Sequence, residues 1–88
     1  MAAYQGHRSW NAWNVALWIA NEEPLYRAAT KCIDVARKHA KANATPERIA
    51  KDAARRFSLD VVPYGERTPD GAIYNRLSVR LAIEGLME

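Results

Sequence analysis

All three tryptophans of this 88-residue chain lie between Trp10 and Trp18. Trp10, Trp13 and Leu17 follow the i, i+3, i+7 spacing that places side chains along one stripe of a helix. A buried tryptophan removes about 150–250 Å² of mostly apolar surface from water, which few other side chains can match. We therefore expect this stripe to be the centre of the core, with Trp13 and Leu17 buried and Trp18 buried against the closing helix or a loop.

The length of the chain allows a single hydrophobic core, because a domain of this size buries only about 60–65% of its unfolded surface. We therefore expect one domain that spans residues 1–88. Residues 1–8 show no apolar periodicity and contain Gly6, which is typical of a flexible segment that leads into the first helix. Alanine supplies much of the apolar fraction and favours helix.

Capping residues and apolar periodicity predict the first two helices. Ser9 can cap the tryptophan helix, which should run over about residues 9–20. Asn21 precedes two acids and Pro24, a sequence typical of a helix start, so a second helix should run over about residues 22–42. Its predicted buried side is formed by Leu25, Ala29, Cys32, Ala36 and Ala40, widened by Ile33 and Val35.

The second half of the chain predicts two further helices separated by a loop. Thr45 and Pro46 should start a third helix that ends near Phe57. Between residues 58 and 72 the prolines and glycines interrupt regular structure, with Val61 and Val62 as a short extended piece and Thr68-Pro69-Asp70-Gly71 as a β-turn. A closing helix should begin at Asn75 or Ser78 and end near Met87. The predicted fold class is therefore all-α, a small bundle of three to four helices with a turn-rich loop before the C-terminal helix.

Asn11 and Asn14 interrupt the tryptophan helix with side chains that compete for backbone hydrogen bonds. Two explanations are open at the level of sequence. Either the two asparagines face water or cap a neighbouring loop, or they recognise a partner.

The positive charge is concentrated in the middle of the chain. The net charge is +3, but residues 27–57 contain nine basic residues against three acidic ones. Such an asymmetry can steer an anionic partner, although exposed lysine and arginine also serve ordinary solubility. The partner-binding residues predicted from this region are Arg48, Lys51, Arg55, Arg56, Lys31 and Lys38.

The nature of that partner stays open between protein and nucleic acid. The residues at positions 48, 51, 55 and 56 advance along one helix, so several of them could face the same phosphate backbone. No aromatic residue lies between these charges, which argues against stacking on single-stranded bases. Two amphipathic helices joined by a turn also allow a helix-turn-helix interpretation, which any helical hairpin would satisfy equally well.

Catalytic and metal-binding motifs are absent from the sequence. His7 and His39 are far apart, and neither lies in a spacing typical of metal ligands. Cys32 falls on the buried stripe of the second helix and reads as a small core residue. We therefore expect no enzyme activity, no metal and no cofactor. The lack of an apolar run long enough to cross a bilayer predicts a cytosolic protein without membrane contact.

The segments Trp13–Ile19 and Asn21–Tyr26 resemble the N-Y-E-T-W-N-V-A-L-W-I-x-N-D-E-x-L-Y signature of a family of small, mostly uncharacterised proteins of phages and other mobile elements. The turn at residues 68–71 before an amphipathic helix is similar to the end of those proteins. The resemblance implies mobile-element origin, and accessory proteins of such origin often inhibit host defence, as anti-CRISPR and anti-restriction proteins do.

The expected function is therefore a non-catalytic binding protein that acts in the cytoplasm of a host cell. It would inhibit a host defence system, in the manner of an anti-CRISPR protein, by occluding a host protein or ribonucleoprotein complex. The alternative is a small basic module that binds nucleic acid.

Overall fold

The structure, a computed structural model, describes residues 9–88. Four helices follow one another along these residues, α1 (Trp10–Asn21), α2 (Glu23–His39), α3 (Pro46–Asp60) and α4 (Arg76–Met87). The all-α bundle predicted from the sequence is confirmed, whereas the prediction of a flexible segment concerns residues 1–8, which lie outside the described part. Within residues 9–88, no helix has both the length and the apolar character needed to cross a membrane.

Three of the helices begin at a side-chain cap. The Oγ of Ser9 accepts a hydrogen bond from the backbone N–H of Ala12, at 3.1 Å. Thr45 caps α3 in the same way, and the Oδ1 of Asn75 caps α4. Each of these caps satisfies a backbone N–H that has no partner inside the helix.

The junction between α1 and α2 differs from the sequence prediction. Asn21 is the last residue of α1, and its Nδ2 donates to the carbonyl oxygen of Leu17 instead of capping α2. Glu22 occupies the N-cap position of α2 without a side-chain hydrogen bond. At its other end α2 stops at His39, three residues before the predicted end, because the backbone of Ala40 is already extended.

The core lies between α2, α3, α4 and one side of α1. Phe57 has the largest side chain that is fully buried, and Ile19 and Ile83 pack into the same cluster. The predicted buried side of α2 is confirmed at Ala29, Cys32, Ile33 and Ala36, whereas Leu25, Val35 and Ala40 are half-buried. Burial also raises the pKa of the Cys32 thiol, which suits its predicted role as a small core residue.

The predicted tryptophan stripe of α1 is not the centre of the core. Trp10 is 39% exposed and Leu17 is 38% exposed, while Trp13 and Trp18 are half-buried. The buried residues of α1 are Ala12, Asn14, Val15 and Ile19.

The true core stripe has the same spacing as the predicted one, shifted by two residues along the helix. Two residues correspond to about 200° around a helix, which is nearly the opposite face. No charged residue in α1 marks a solvent side, so periodicity alone cannot choose between the two faces. The smaller side chains of Ala12, Val15 and Ile19 face the core, and the larger Trp13 and Leu17 line a shallow groove beside Leu81 of α4.

The loop between α3 and α4 folds into a small hairpin. Arg67 and Ile73 form an antiparallel bridge, and the predicted turn closes with a hydrogen bond of 2.9 Å from the N–H of Gly71 to the carbonyl oxygen of Thr68. Gly71 has φ +95°, a conformation that glycine adopts without strain. The predicted extended piece at residues 61–62 is wrong, because both N–H groups bond back to the carbonyl oxygen of Phe57 and finish α3.

Asn14 of α1 holds this hairpin from inside the bundle. Its Oδ1 accepts a hydrogen bond from the Thr68 hydroxyl at 2.6 Å, and its Nδ2 donates to Asp70 Oδ2 at 2.9 Å. The indole N–H of Trp18 donates to the same carboxylate oxygen, also at 2.9 Å. The side chain recognises a loop of its own chain, so the loop-capping explanation holds for Asn14.

Asn11 binds the other end of the hairpin in the same manner. Its amide accepts from the N–H of Ile73 at 2.7 Å and donates to the carbonyl oxygen of Ile73 at 2.9 Å. A further bond of 2.8 Å runs to the hydroxyl of Ser78 in α4. The two asparagines, Trp18 and the turn at residues 68–71 therefore act together as a structural clamp between α1 and the loop.

The clamp predicts a contribution of Asp70 to acid stability. Hydrogen bonds from Asn14 and then Trp18 hold the pKa of Asp70 below its ordinary value in the folded state. The ionised carboxylate therefore stabilises the fold above the unfolded pKa, and this contribution is lost as the pH falls through the folded pKa. Thermal melts between roughly pH 6 and pH 2 should show a smaller loss of stability on acidification in Asp70→Asn than in the wild type.

Asp34→Asn is the matched control for this prediction, because it removes an exposed carboxylate on α2 outside the clamp. An equal pH dependence in Asp70→Asn and the wild type would show that the two hydrogen bonds do not discriminate between the protonation states.

Candidate functional site

The predicted basic residues of α3 lie on two different sides of the helix. Arg48 and Arg56 line a groove of about 620 Å³ between α2 and α3, called here the α2–α3 groove. Lys51 and Arg55 line a second groove of about 770 Å³ between α3 and α4, called the α3–α4 groove. The sequence pattern allowed the four side chains to face a single phosphate backbone. In the structure they do not form such a row, because they line two different grooves.

Asp52 lies between the two grooves and lines both of them. Its carboxylate accepts a hydrogen bond of 2.9 Å from Arg56 Nε and pairs with Arg55 at 3.4 Å. The hydrogen bond from Arg56 is the main reason that the pKa of Asp52 is lowered. Arg56 is thus held in place by an intramolecular contact, whereas Arg48 and Lys51 have no ion-pair partner within residues 9–88.

The α2–α3 groove also includes residues from the end of α2 and from the turn that follows it. His39 and Lys41 lie across from Arg48 and Arg56 in its wall. Further from the end of α2, the pKa of the Cys32 thiol is raised by burial and then by Asp60 at the end of α3, and lowered by Arg56. The two helices are therefore antiparallel. This arrangement brings Lys41 into the α2–α3 groove with Arg48 and Arg56.

The α3–α4 groove combines cations with exposed apolar side chains. Its cationic residues are Lys51, Arg55, Arg76 and Arg80, and its apolar and aromatic residues include Leu59, Tyr64 and Leu77. Lys51, Arg55 and Leu59 follow i, i+4, i+8 spacing along α3 and so share one side of that helix. The groove presents positive charge next to apolar surface, a combination suited to binding an anionic partner that also has apolar groups.

The two predicted lysines of α2 belong to neither groove. Lys31 and Lys38 are exposed, but neither lines a wall of the α2–α3 or the α3–α4 groove. Arg27 is paired with Glu23 at 3.2 Å, near the start of α2. Of the lysines and arginines of α2 and the turn that follows it, only Lys41 lines a groove together with the α3 cations.

Sequence reasoning missed the part of the site that comes from beyond α3. Tyr64, Arg76 and Arg80 join Lys51 and Arg55 because the hairpin brings α4 back against α3. The sequence spacing between residues 55 and 76 gives no indication of this approach. The sequence does indicate that Arg76 and Arg80 share one side of α4, because they are one helical turn apart.

Neither a metal-ligating cluster nor an exposed thiol is present within residues 9–88. No group of three or more His, Cys, Asp and Glu side chains comes together to hold a metal in that part of the chain. The thiol of Cys32 is buried. The residues that line the two grooves offer charged groups and apolar surface.

Comparison with known proteins gives one match, which covers the entire chain. The model of a family described as a family of unknown function (DUF7249) matches residues 1–88. No curated protein and no solved structure matches the chain.

Proposed function

The chain belongs to this family of unknown function, DUF7249, and on that premise we propose that it is a non-catalytic binding protein. In this proposal it comes from a phage or another mobile element and inhibits a host defence system by occluding a host protein or nucleoprotein, as an anti-CRISPR protein does. The proposed place of action is the cytoplasm of the host cell. The resemblance of the tryptophan segment to phage proteins motivates the origin.

The observation that carries the binding role is the gathering of unpaired and partly paired cations in the α3–α4 groove. Lys51 is exposed without an ion-pair partner in residues 9–88, and Arg55 shares the Asp52 carboxylate with Arg56. Complementary charge accelerates association and discriminates against wrong partners. A groove with this charge fits an acidic surface of a target protein, which it would cover without chemical modification.

A second candidate function is a small basic module that binds nucleic acid. The α2–α3 groove favours it, because Lys41, Arg48 and Arg56 line it together and its apolar lining consists of alanines and Ile49. Arginine and lysine in such a groove can contact phosphate oxygens. The connection between α2 and α3 spans residues 40–45, which is longer than the tight turn of a DNA-reading helix-turn-helix.

Two assays in host cells test the leading proposal. Affinity purification from host lysate should recover a defined protein or ribonucleoprotein, and expression of the protein should raise phage plaquing in cells with active CRISPR interference or restriction. If no partner is recovered and neither defence is inhibited, the proposed function is wrong.

Charge reversal in the α3–α4 groove should weaken partner binding. We expect the double variant Lys51→Glu/Arg55→Glu to lose at least about tenfold in affinity, because two attractive contacts become repulsive. The matched control is Lys31→Glu/Lys38→Glu, which changes the net charge equally but outside both grooves. Titrations of the recovered partner at low and physiological salt provide the measurement.

A gel-shift titration decides between the two candidate functions. Binding to free duplex DNA or RNA with log affinity falling linearly against log salt, with a slope of about −0.9 per neutralised phosphate on duplex DNA, would favour the nucleic-acid module.

The charge-reversal experiment has its own contradicting outcome. If Lys51→Glu/Arg55→Glu and Lys31→Glu/Lys38→Glu lose partner binding equally, only the total charge matters and the α3–α4 groove is not the site.

A further inference from the structure

The α3–α4 groove exposes leucines that the cationic contacts alone do not explain. Leu59 is 69% exposed at the end of α3, and Leu77 is 41% exposed at the start of α4. Both line the same groove, together with Tyr64. Exposed apolar groups collected in a groove with a polar rim mark a site of interaction with an apolar partner.

Tyr64 is poorly placed to stack on a nucleic-acid base. The guanidinium carbon of Arg76 lies 5.5 Å from the centroid of the tyrosine ring, so a cation already covers one face of it. Single-strand binding surfaces combine a basic groove with open aromatic faces. The contact therefore favours a partner that uses the ring edge and the nearby leucines over one that stacks bases.

Arg80 has a donor for which the described residues offer no hydrogen-bond acceptor. Its Nε is buried without such a partner and lies 3.6 Å from Glu84 Oε2, which is an ion pair with poor geometry. The side chain lines the groove and is one-third exposed. An incoming carboxylate would find Arg80, Arg76 and Lys51 in the wall of one groove, where only Asp52 among the lining residues carries a negative charge.

We infer that the α3–α4 groove binds an acidic protein segment that also carries large apolar side chains. Leu59 and Leu77 receive the apolar side chains, and Lys51, Arg55 and Arg80, which line the same groove, pair with the carboxylates. Lys51 and Arg55 are one helical turn apart, so carboxylates at i, i+4 spacing on a helical segment match them. The inference rests on the proposed binding function and names the chemistry of the partner at that site.

A designed peptide tests this inference without knowledge of the natural target. The probe is a fluorescein-labelled helical peptide with leucines along one stripe and glutamates flanking that stripe, so that both kinds of side chain can face the groove. Three comparison probes separate the contributions, namely the same peptide with serine for leucine, the same peptide with glutamine for glutamate, and single-stranded DNA of similar charge. Fluorescence anisotropy at low and physiological salt measures each affinity.

We expect the glutamate–leucine peptide to bind at least about tenfold more tightly than either substituted peptide or the DNA. Binding of the peptide to the wild-type protein should change the NMR chemical shifts of the backbone amides of residues 51, 55, 59 and 77. If the serine peptide binds as well as the leucine peptide, the groove recognises charge alone and the inference is wrong. Preferential binding of the DNA would also overturn it.

Variants of the two exposed leucines test the apolar half of the site. Leu59→Ser/Leu77→Ser should lose about tenfold in affinity for the leucine peptide, with unchanged affinity for the serine peptide. The control is Leu17→Ser. The exposed fraction of Leu17, 38%, is similar to the 41% of Leu77, but Leu17 lies in the groove between α1 and α4. Equal affinity of the double variant and this control for the leucine peptide would contradict the assignment.

The outcome also separates this inference from the proposed function. If the Leu59→Ser/Leu77→Ser variant still binds the natural partner and inhibits it as the wild type does, the proposed function stands and the inference is wrong. A peptide that binds in the groove, combined with no effect on phage plaquing, would support the inference and remove the proposed defence role.

Discussion

Phe57→Ala is expected to lower the free energy of unfolding by about 3–5 kcal/mol, the range observed when a buried aromatic side chain is truncated. Phe57 has the largest fully buried side chain within residues 9–88, and α3 brings it into a cluster with Ile19 and Ile83. The alanines around it, including Ala53 and Ala54, have no rotatable side chain that could fill the space. The substitution therefore leaves a cavity.

Urea titration followed by tryptophan fluorescence measures this effect, with Leu59→Ala as the matched control on the same helix. Leu59 is largely exposed, so its truncation should change stability by no more than about 0.5 kcal/mol. Small domains are stable by about 5–15 kcal/mol in total, so the expected loss is a large fraction of the stability and should lower the urea midpoint clearly. Similar midpoints for the two variants would show that α3 does not face the core as described.

Asn14→Asp is expected to destabilise the fold by about 3–5 kcal/mol at neutral pH, because it buries a charge without a compensating partner. Asn14 is 1% exposed, and its Nδ2 donates to Asp70 Oδ2 at 2.9 Å. The substitution replaces this donor with an oxygen and sets two carboxylates against each other. The loss should diminish as the pH falls, since a proton on either carboxyl restores a donor.

The reciprocal exchange Asn14→Asp/Asp70→Asn is the test of this explanation. It returns one amide and one carboxylate to the pair, so thermal melts should show partial recovery relative to Asn14→Asp alone. The Thr68 hydroxyl, which donates to Asn14 Oδ1 at 2.6 Å, can still donate to the carboxylate in this double variant. A double variant less stable than Asn14→Asp would show that the amide–carboxylate pair is not the source of the loss.

The clamp also gives a structural explanation for the specific sequence pattern of α1. Asn14 and Trp18 meet Asp70, and Asn11 meets Ile73, although more than 50 residues separate the partners along the chain. The sequence predicts the turn at residues 68–71, and it shows two asparagines in the interior of α1, where asparagine is unfavourable. Their pairing could not be predicted, because hydrogen-bond partners so far apart are set by the path of the chain between them.

The candidate site was predicted in part. Lys51 and Arg55, two of the residues chosen from the sequence, are exposed on α3 and line one groove, since charge and spacing on one helix are local properties. The companions of these residues, Tyr64 and Arg80, come from the loop and α4. Asp52 divides the α3 cations between two grooves, and a helical projection of α3 alone cannot show where the neighbouring helices lie.

By itself, the sequence determined that helices form and where α1 and α3 begin, because capping hydrogen bonds and apolar periodicity act within a few residues of one another. Ser9 and Thr45 begin their helices as predicted. The tertiary structure alone decided which face of α1 is buried. That helix has large apolar side chains on one side, small ones with Asn14 on the other, and no charge to separate them. The choice is made by close packing and by the hydrogen bonds of the clamp, both of which require the loop and α4 to be in place.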